Sequence, residues 1–259
     1  MISVVAVDEL TRAYQAALSG EFRTGRHRAA PAGDGAATWT SAPGEQVVVV
    51  VGCHGGAGAS SVALGLADAA GDARVVECCT AAASGLAAAA SAELGVTSDG
   101  WVRGSRGSVL IERCSDRIGR PAACPPPSPG SAPLTVVDCG WDVDLLASSD
   151  GWLGELVRSQ AGVVVVARPT VPGLRRLEAA ADLLGQGRLV AAVVGVRKRW
   201  PRDVERALGP HGRALRAEGR LIGLPHNPTL AVNGLSAEPL PASISTDCSS
   251  LLTLTKGLR

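Results

Sequence analysis

The stretch "VVVVVGCHGGAGASSVALGLADAA", Val47–Ala70, joins a run of five valines to a glycine-rich turn and an alanine-rich segment. The valine run predicts a strand that is buried on both faces, and the last residues predict a helix. This is the layout of a phosphate-binding loop, in which backbone N–H groups and the start of the helix face the phosphate oxygens. The lysine that such a loop carries is missing, because Ala59 occupies its position.

The loop matches the pattern G-x-x-x-x-G-K-[ST] only in part. Gly58 and Ser60 agree with it, whereas Cys53 replaces the first glycine and Ala59 replaces the lysine. The glycines at 55, 56 and 58 allow the backbone to approach a phosphate closely. An ordinary tight turn between a strand and a helix is the alternative that this pattern leaves open.

Six further apolar runs follow the first strand, and segments with helical patterning separate most of them. The runs are "ARVVECC", "SVLIERC", "LTVVDCG", "GVVVVARP", "LVAAVVGV" and "RLIGLP". They predict a doubly wound, mainly parallel α/β sheet of about seven strands with helices on both faces, like that of P-loop NTPases. The segment "SGLAAAASAEL", residues 84–94, is predicted to be a helix. Three stretches should meet at the carboxyl ends of the strands, where such folds bind ligands: Cys53–Ser61, Glu77–Gly85 and Asp138–Asp142.

Residues 1–45 differ in composition from residues 46–259, which form the predicted main domain. The first part contains a short predicted helix, Asp8–Leu18, and a flexible linker rich in Gly, Ala and Pro, with a small basic cluster at Arg23–Arg28. The chain has a net charge of +1 and seven cysteines without a C-x-x-C pair, which favours reduced, buried thiols. No apolar stretch approaches the length of about 20 residues that spans a bilayer, so we expect a cytoplasmic protein.

The segment "CHGGAGASS" resembles the deviant Walker A loop, K-G-G-x-G-K-[ST], of the MinD/ParA family of P-loop ATPases. The resemblance extends over residues 46–259. "LTVVDCG" is similar to the Walker B strand, and "VVVVARPTVPGLRRLEAAADLL" to a strand that ends in proline before a long helix. "LIGLPHNPTLAVNGLSAEPL" is similar to the late segment beside the nucleotide base. The loop without lysine most resembles the CpaE/TadZ branch and related septum-site-determining proteins.

The resemblance implies ATP or ADP with Mg²⁺ as the ligand. Ser60 and Asp138 would hold the metal, and Asp138 and Glu77 are the implied catalytic residues; for Asp138, capping of the next turn is the alternative. The implied nucleotide contacts are Cys53, His54, Gly55, Gly56, Ala57, Gly58, Ala59, Ser60, Ser61 and Pro225. His54 stands at the signature lysine and Ala59 at the ordinary P-loop lysine. One cation can contribute about 10³ to 10⁵ in phosphoryl-transfer rate, so we expect weak or absent hydrolysis.

The resemblance implies a dimeric protein that positions or regulates a larger assembly: a septum, a secretion or pilus machine, or a partitioned plasmid or conjugative element. Two alternatives stay open. One is a slow ATPase that uses a non-standard cation, for which the arginines of "RGSRGSVLIER" are candidates; the other is a structural partner of an intact ATPase that binds no nucleotide. The basic run Arg197–Arg202 suggests contact with DNA or anionic lipid, against the alternative of a solvated surface. Partners would then recruit the chain to membrane or nucleoid.

Overall fold

A computed structural model describes residues 7–18, 38–115, 118–196 and 199–258 of the chain. The predicted basic cluster Arg23–Arg28, most of the predicted linker, and Arg197 and Lys198 of the basic run lie outside the described residues. Nine helices are described: α1 Val7–Leu18, α2 Ala59–Ala70, α3 Val143–Ser148, α4 Trp152–Ser159, α5 Val171–Leu184, α6 Arg202–Arg206, α7 Pro210–Ala217, α8 Pro228–Asn233 and α9 Ala242–Gly257.

A single mixed sheet contains the nine strands of the described residues. They are β1 Gln46–Gly52, β2 Ala73–Cys78, β3 Ala92–Val96, β4 Trp101–Arg106, β5 Val109–Cys114, β6 Leu134–Cys139, β7 Val163–Ala167, β8 Leu189–Val194 and β9 Leu221–Leu224. Their order in the sheet is β3-β4-β5-β2-β6-β1-β7-β8-β9. All pairs are parallel except those of β4, which is antiparallel to β3 and to β5. The predicted doubly wound α/β fold is therefore confirmed.

The valine run of β1 shows why the central strands are continuously apolar. Val47, Val49 and Val51 belong to the core layer beneath α3, α4 and α5. Val48 and Val50 belong to the opposite layer, beneath α2 and α9. Because successive side chains point to opposite faces, a strand covered by helices on both sides needs an apolar residue at every position.

The helix predicted for residues 84–94 is wrong, and so is the count of about seven strands. Residues 84–91 form turns, and β3 begins at Ala92 and pairs with β4 at the edge of the sheet. Gly104 of β4 permits this pairing, since a Cβ there would lie 2.6 Å from the Cβ of Ala90. Alanine favours helix locally, but backbone hydrogen bonds to a neighbouring strand override that weak preference.

Register between the strands sets the positions of the acidic residues. Asp138 of β6 pairs with Val50 of β1 on one side and with Glu77 of β2 on the other. Both carboxylates therefore lie near the end of β1, where the glycine-rich loop leads into α2. In the described part of the chain, no helix combines the length and the apolar character required to cross a bilayer.

Candidate functional site

A cleft of about 530 Å³ lies at the carboxyl edge of the central strands. Its volume is within the range of small-molecule binding sites. The three stretches that the sequence places at this edge all contribute to it. The lining residues are Gly52, His54, Gly55, Gly56, Ala57, Gly58, Ala59, Ser60, Ser61, Ala83, Gly85, Asp138, Cys139, Gly140, Trp141, Asp142, Gly234 and Leu235.

The glycine-rich loop has the backbone geometry of an anion cradle. Gly56 and Gly58 have φ angles of 72° and 100°, which glycine adopts without steric cost. Gly58 is also the residue that precedes α2, and its carbonyl accepts the N–H of Val62. The first N–H groups of a helix have no partner within the helix, so those of α2 are available to an anion in the cleft.

Asp138 lies beside Ser60 beneath this cradle, and its side chain is 1% exposed. Burial raises the pKa of Asp138 to about 7; the nearby charge of Glu77 adds to this shift and a hydrogen bond with Ser60 opposes it. The Oδ1 atom of Asp138 is buried and has no hydrogen-bond partner. An unpartnered carboxylate oxygen in such a place is costly unless a cation or a proton compensates it.

The residues present therefore fit a Mg²⁺ ion. Mg²⁺ is usually held by one or two protein oxygens together with phosphate oxygens and water. Ser60 and Asp138 would supply the protein oxygens, and the ion would offset the charge of a bound phosphate. Across the four described ranges, no group of three or more His, Cys, Asp or Glu residues could hold a metal ion by itself.

Glu77 is buried, at 2% exposure, and is not among the residues that line the cleft. Its Oε1 accepts the N–H groups of Gly85 (2.7 Å) and Leu86 (3.0 Å), and its Oε2 accepts the hydroxyl of Ser84 (2.5 Å). Burial raises the pKa of Glu77, and these three hydrogen bonds reduce the shift. Both carboxylate oxygens are thus engaged with the loop that follows β2.

His54 lines the cleft, but its ring is engaged within the chain. Its Nε2 accepts the N–H of Arg168 at 3.3 Å, and its Nδ1 lies 2.8 Å from the carbonyl oxygen of Gly55. Both ring nitrogens are thus engaged by backbone groups of the chain. In this arrangement neither nitrogen is free to take the place of the lysine ammonium group.

No lysine or arginine is present among the described residues that line the cleft. The arginines of "RGSRGSVLIER" are committed elsewhere: Arg103 pairs with Glu112, and Arg113 pairs with Glu93. Arg106 pairs with Asp68 and donates to the carbonyls of Ser236 and Glu238. These three arginines therefore do not supply the missing positive charge in this arrangement.

Two of the implied nucleotide contacts lie outside the cleft lining. Cys53 has its side chain in the core and its N–H bonded to the carbonyl of Val166, and burial raises the pKa of its thiol to about 12. Pro225 follows β9, whereas Gly234 and Leu235 of the same late segment line the cleft. Sequence reasoning did not single out Trp141 as a site residue. Its position just after an apolar strand was the available signal.

Comparison with known proteins gives matches among solved structures alone. No protein-family model matches the chain, and no curated protein matches it. Apo McdA from Cyanthece matches with a TM-score of 0.51 and 9% identity, over 82% of this chain and 100% of that one. The cell division ATPase MinD from Pyrococcus furiosus matches with a TM-score of 0.49 and 13% identity, over 83% and 99%. A proposed plasmid partition protein from Borrelia burgdorferi B31, bound to AMPPNP, matches with a TM-score of 0.48 and 12% identity, over 82% of this chain and 99% of that one.

At these identities the likeness concerns the fold. The TM-score for McdA exceeds 0.5 and supports the likeness in fold. With the mainly parallel nine-stranded sheet and the glycine-rich loop between β1 and α2, it shows a P-loop NTPase-like α/β fold.

Proposed function

We propose that this chain is a degenerate MinD/ParA-like protein that binds ATP or ADP with Mg²⁺ and positions or regulates a larger cellular assembly. The observation that carries this proposal is the unpartnered, buried Oδ1 of Asp138 beside Ser60, directly beneath a loop with left-handed glycines at the start of α2. An anion cradle above a buried oxygen that lacks a cation is suited to a metal–phosphate pair.

Weak or absent hydrolysis belongs to the same proposal. Phosphoryl transfer depends on cations that offset the charge growing on the phosphate oxygens. Ala59 provides none, and the ring of His54 is tied to the backbone of Arg168. Binding depends less on these side chains, because backbone N–H groups and Mg²⁺ remain available to the phosphates.

Calorimetric titration of the purified chain with ATP and with ADP, each with and without Mg²⁺, tests the proposal. We expect binding that Mg²⁺ strengthens, and Ser60→Ala should remove most of this Mg²⁺ dependence. Ser108→Ala is the matched control, since this exposed serine only donates to the carbonyl of Gly71, in the turn at the start of β2. Absence of binding under all four conditions would refute the proposal.

The same measurements distinguish the two alternatives. Steady phosphate release that is lost in Ser60→Ala and Asp138→Asn would identify a slow ATPase with another source of positive charge. No nucleotide binding, together with formation of a heterodimer with an intact MinD/ParA-type ATPase, would identify a structural partner. The lysine-free loop favours a role like that of the CpaE/TadZ branch, as a homodimer or as a heterodimer with a related ATPase, at a septum, a pilus or secretion machine, or a partitioned element.

A basic surface next to the cleft favours contact with a polyanion, and we propose DNA as the partner. Residues 161–220 contain 12 of the 25 Lys and Arg residues but only five of the 24 acidic residues. Arg175 and Arg176 are exposed near the start of α5, and Arg199 and Arg202 are exposed after β8. The first pair follows the carboxyl end of β7 and the second pair follows that of β8, and the cleft lies at the same edge of the sheet.

Binding to duplex DNA measured over a range of salt concentrations tests this second proposal. If Arg199 and Arg202 each contact a phosphate, the double variant Arg199→Gln/Arg202→Gln should reduce the salt slope by about 2. Lys256→Gln, an exposed cation in the last turn of α9 and outside residues 161–220, serves as the control. An unchanged slope would refute the contact, and binding to anionic vesicles in place of DNA would indicate membrane recruitment instead.

A further inference from the structure

The loop after β2, residues 80–86, forms one wall of the cleft. Ala83 and Gly85 line the cleft, and Gly85 packs directly against Ser60. A Cβ at position 85 would lie 2.7 Å from the Oγ of Ser60, closer than real Cβ contacts. The position of this loop therefore decides the shape of the cleft beside the hydroxyl that is proposed to bind Mg²⁺.

Few backbone contacts hold this wall in place. It contains one short 3₁₀ turn, Ala81–Ala83, in which the N–H of Ala83 bonds to the carbonyl of Thr80 at 2.8 Å. The side chain of Leu86 anchors the end of the loop in the core that α2 covers. Between these two points, the hydroxyl of Ser84 and the N–H groups of Gly85 and Leu86 all donate to the carboxylate of Glu77.

Glu77 is well suited to this role. It lies on β2, a central strand, so its own backbone is fixed on both sides by β5 and β6. A buried carboxylate that accepts two N–H groups and one hydroxyl makes charge-assisted hydrogen bonds, which are roughly twice as strong as neutral ones. These three donors fill three of the about four acceptor positions of the carboxylate.

We infer that Glu77 is a positioning residue, which fixes the 80–86 loop as the wall of the cleft beside Ser60. The effect on the ligand rests on the proposed nucleotide-binding function, whereas the effect on the loop does not. Loss of the carboxylate releases the loop, and the fraction of molecules with a formed cleft falls.

The variants Glu77→Met and Glu77→Gln test this inference as a pair. Both resemble glutamate in size, but methionine offers no strong acceptor while glutamine keeps one carbonyl oxygen. Hydrogen exchange of the amides of Gly85 and Leu86 is the direct readout. We expect exchange to be about 10- to 100-fold faster in Glu77→Met, and glutamine to restore much of the protection. The amides of Val75 and Val76 in β2 should keep their protection.

Ligand binding is measured on the same proteins by titration with Mg²⁺-ATP. Affinity should fall by about tenfold in Glu77→Met and recover in Glu77→Gln. Ser84→Ala provides a milder variant that leaves the buried carboxylate in place, should Glu77→Met fail to fold. It should speed exchange at Gly85 and Leu86 by a few-fold. Ser108→Ala, in the turn between β4 and β5, is the control and should change neither readout.

The outcomes separate this inference from the proposed function. Unchanged exchange at Gly85 and Leu86 in Glu77→Met and Ser84→Ala overturns the inference, even where Mg²⁺-ATP binds normally. Faster exchange throughout β2 also overturns it, because Glu77 would then only stabilise the fold. Local loosening with no Mg²⁺-ATP binding by any protein supports the positioning role and refutes the nucleotide proposal. Local loosening with unchanged affinity overturns the link between the loop and the ligand.

Discussion

Asp138→Asn should make the folded protein more stable at neutral and alkaline pH. Burial raises the pKa of this carboxyl from its ordinary value of 3.8 to about 7. A group whose folded-state pKa is raised contributes stability that is complete below about pH 4 and is lost as the pH rises through 7. Asparagine resembles the protonated carboxyl in shape but cannot ionise, so the variant lacks this pH dependence.

The magnitude follows from the shift of about 3 pH units and a free energy of about 1.36 kcal/mol per unit. At pH 8 the wild type should have lost about 4 kcal/mol of unfolding free energy relative to its value below pH 4. At pH 5 the loss should be about 2 kcal/mol, because ionisation in the unfolded state has already begun. The unfolding free energy of Asp138→Asn relative to the wild type should therefore grow by about 2 to 3 kcal/mol between pH 5 and pH 8.

Urea unfolding of both proteins at pH 5, 6, 7 and 8 measures this difference. Asp142→Asn is the control, because this carboxylate is exposed at the cleft and asparagine can equally accept the N–H of Asp144 at the start of α3. A constant difference between wild type and Asp138→Asn from pH 5 to pH 8 would refute the reasoning. If Mg²⁺-ATP binds at Asp138, a saturating concentration of it should raise the unfolding free energy at pH 8 in the wild type and not in Asp138→Asn.

Three further perturbations address the cradle, the missing cation and the fold. Gly58→Val should abolish ATP binding in calorimetry, since φ is 100° at this position and a Cβ would contact Val194 at 3.4 Å; unchanged affinity in a folded variant would exclude this site. Ala59→Lys should strengthen ATP binding by about 1.5–3 kcal/mol through charge-assisted hydrogen bonds, and absence of binding by both proteins would favour the structural-partner role. Glu178→Ala should lower the unfolding free energy by about 1–2 kcal/mol in urea, because its carboxylate accepts the N–H groups of His211 (2.9 Å) and Gly212 (2.7 Å) at the start of α7; a change below 0.3 kcal/mol would contradict this.

The sequence alone determined the central architecture. Runs such as Val47–Val51 are long, apolar at every position and bounded by glycine, which leaves a strand covered on both faces as the natural interpretation. The glycines of the loop were also informative, since they predict a backbone that can approach a phosphate closely; Gly56 and Gly58 adopt left-handed φ angles, whereas Gly55 does not. These signals are local, so a single sequence is sufficient to read them.

Tertiary structure alone decided the edge of the sheet and the state of the site. The alanine-rich segment 84–94 has helical propensity, but its last residues belong to β3, which pairs with β4, and the residues before them form turns. The family resemblance implied a catalytic role for Glu77, which stays a prediction, and the structure shows that the 80–86 loop donates hydrogen bonds to both of its carboxylate oxygens. His54 was aligned with a lysine, yet its Nε2 accepts the N–H of Arg168, 114 residues away. A partner as distant in the chain as Arg168 leaves no periodicity or spacing in the sequence, because it is brought to His54 only when the strands pair. The partners of Glu77 are seven to nine residues away, but the conformation of the loop between them depends on how it packs against the cleft and the core.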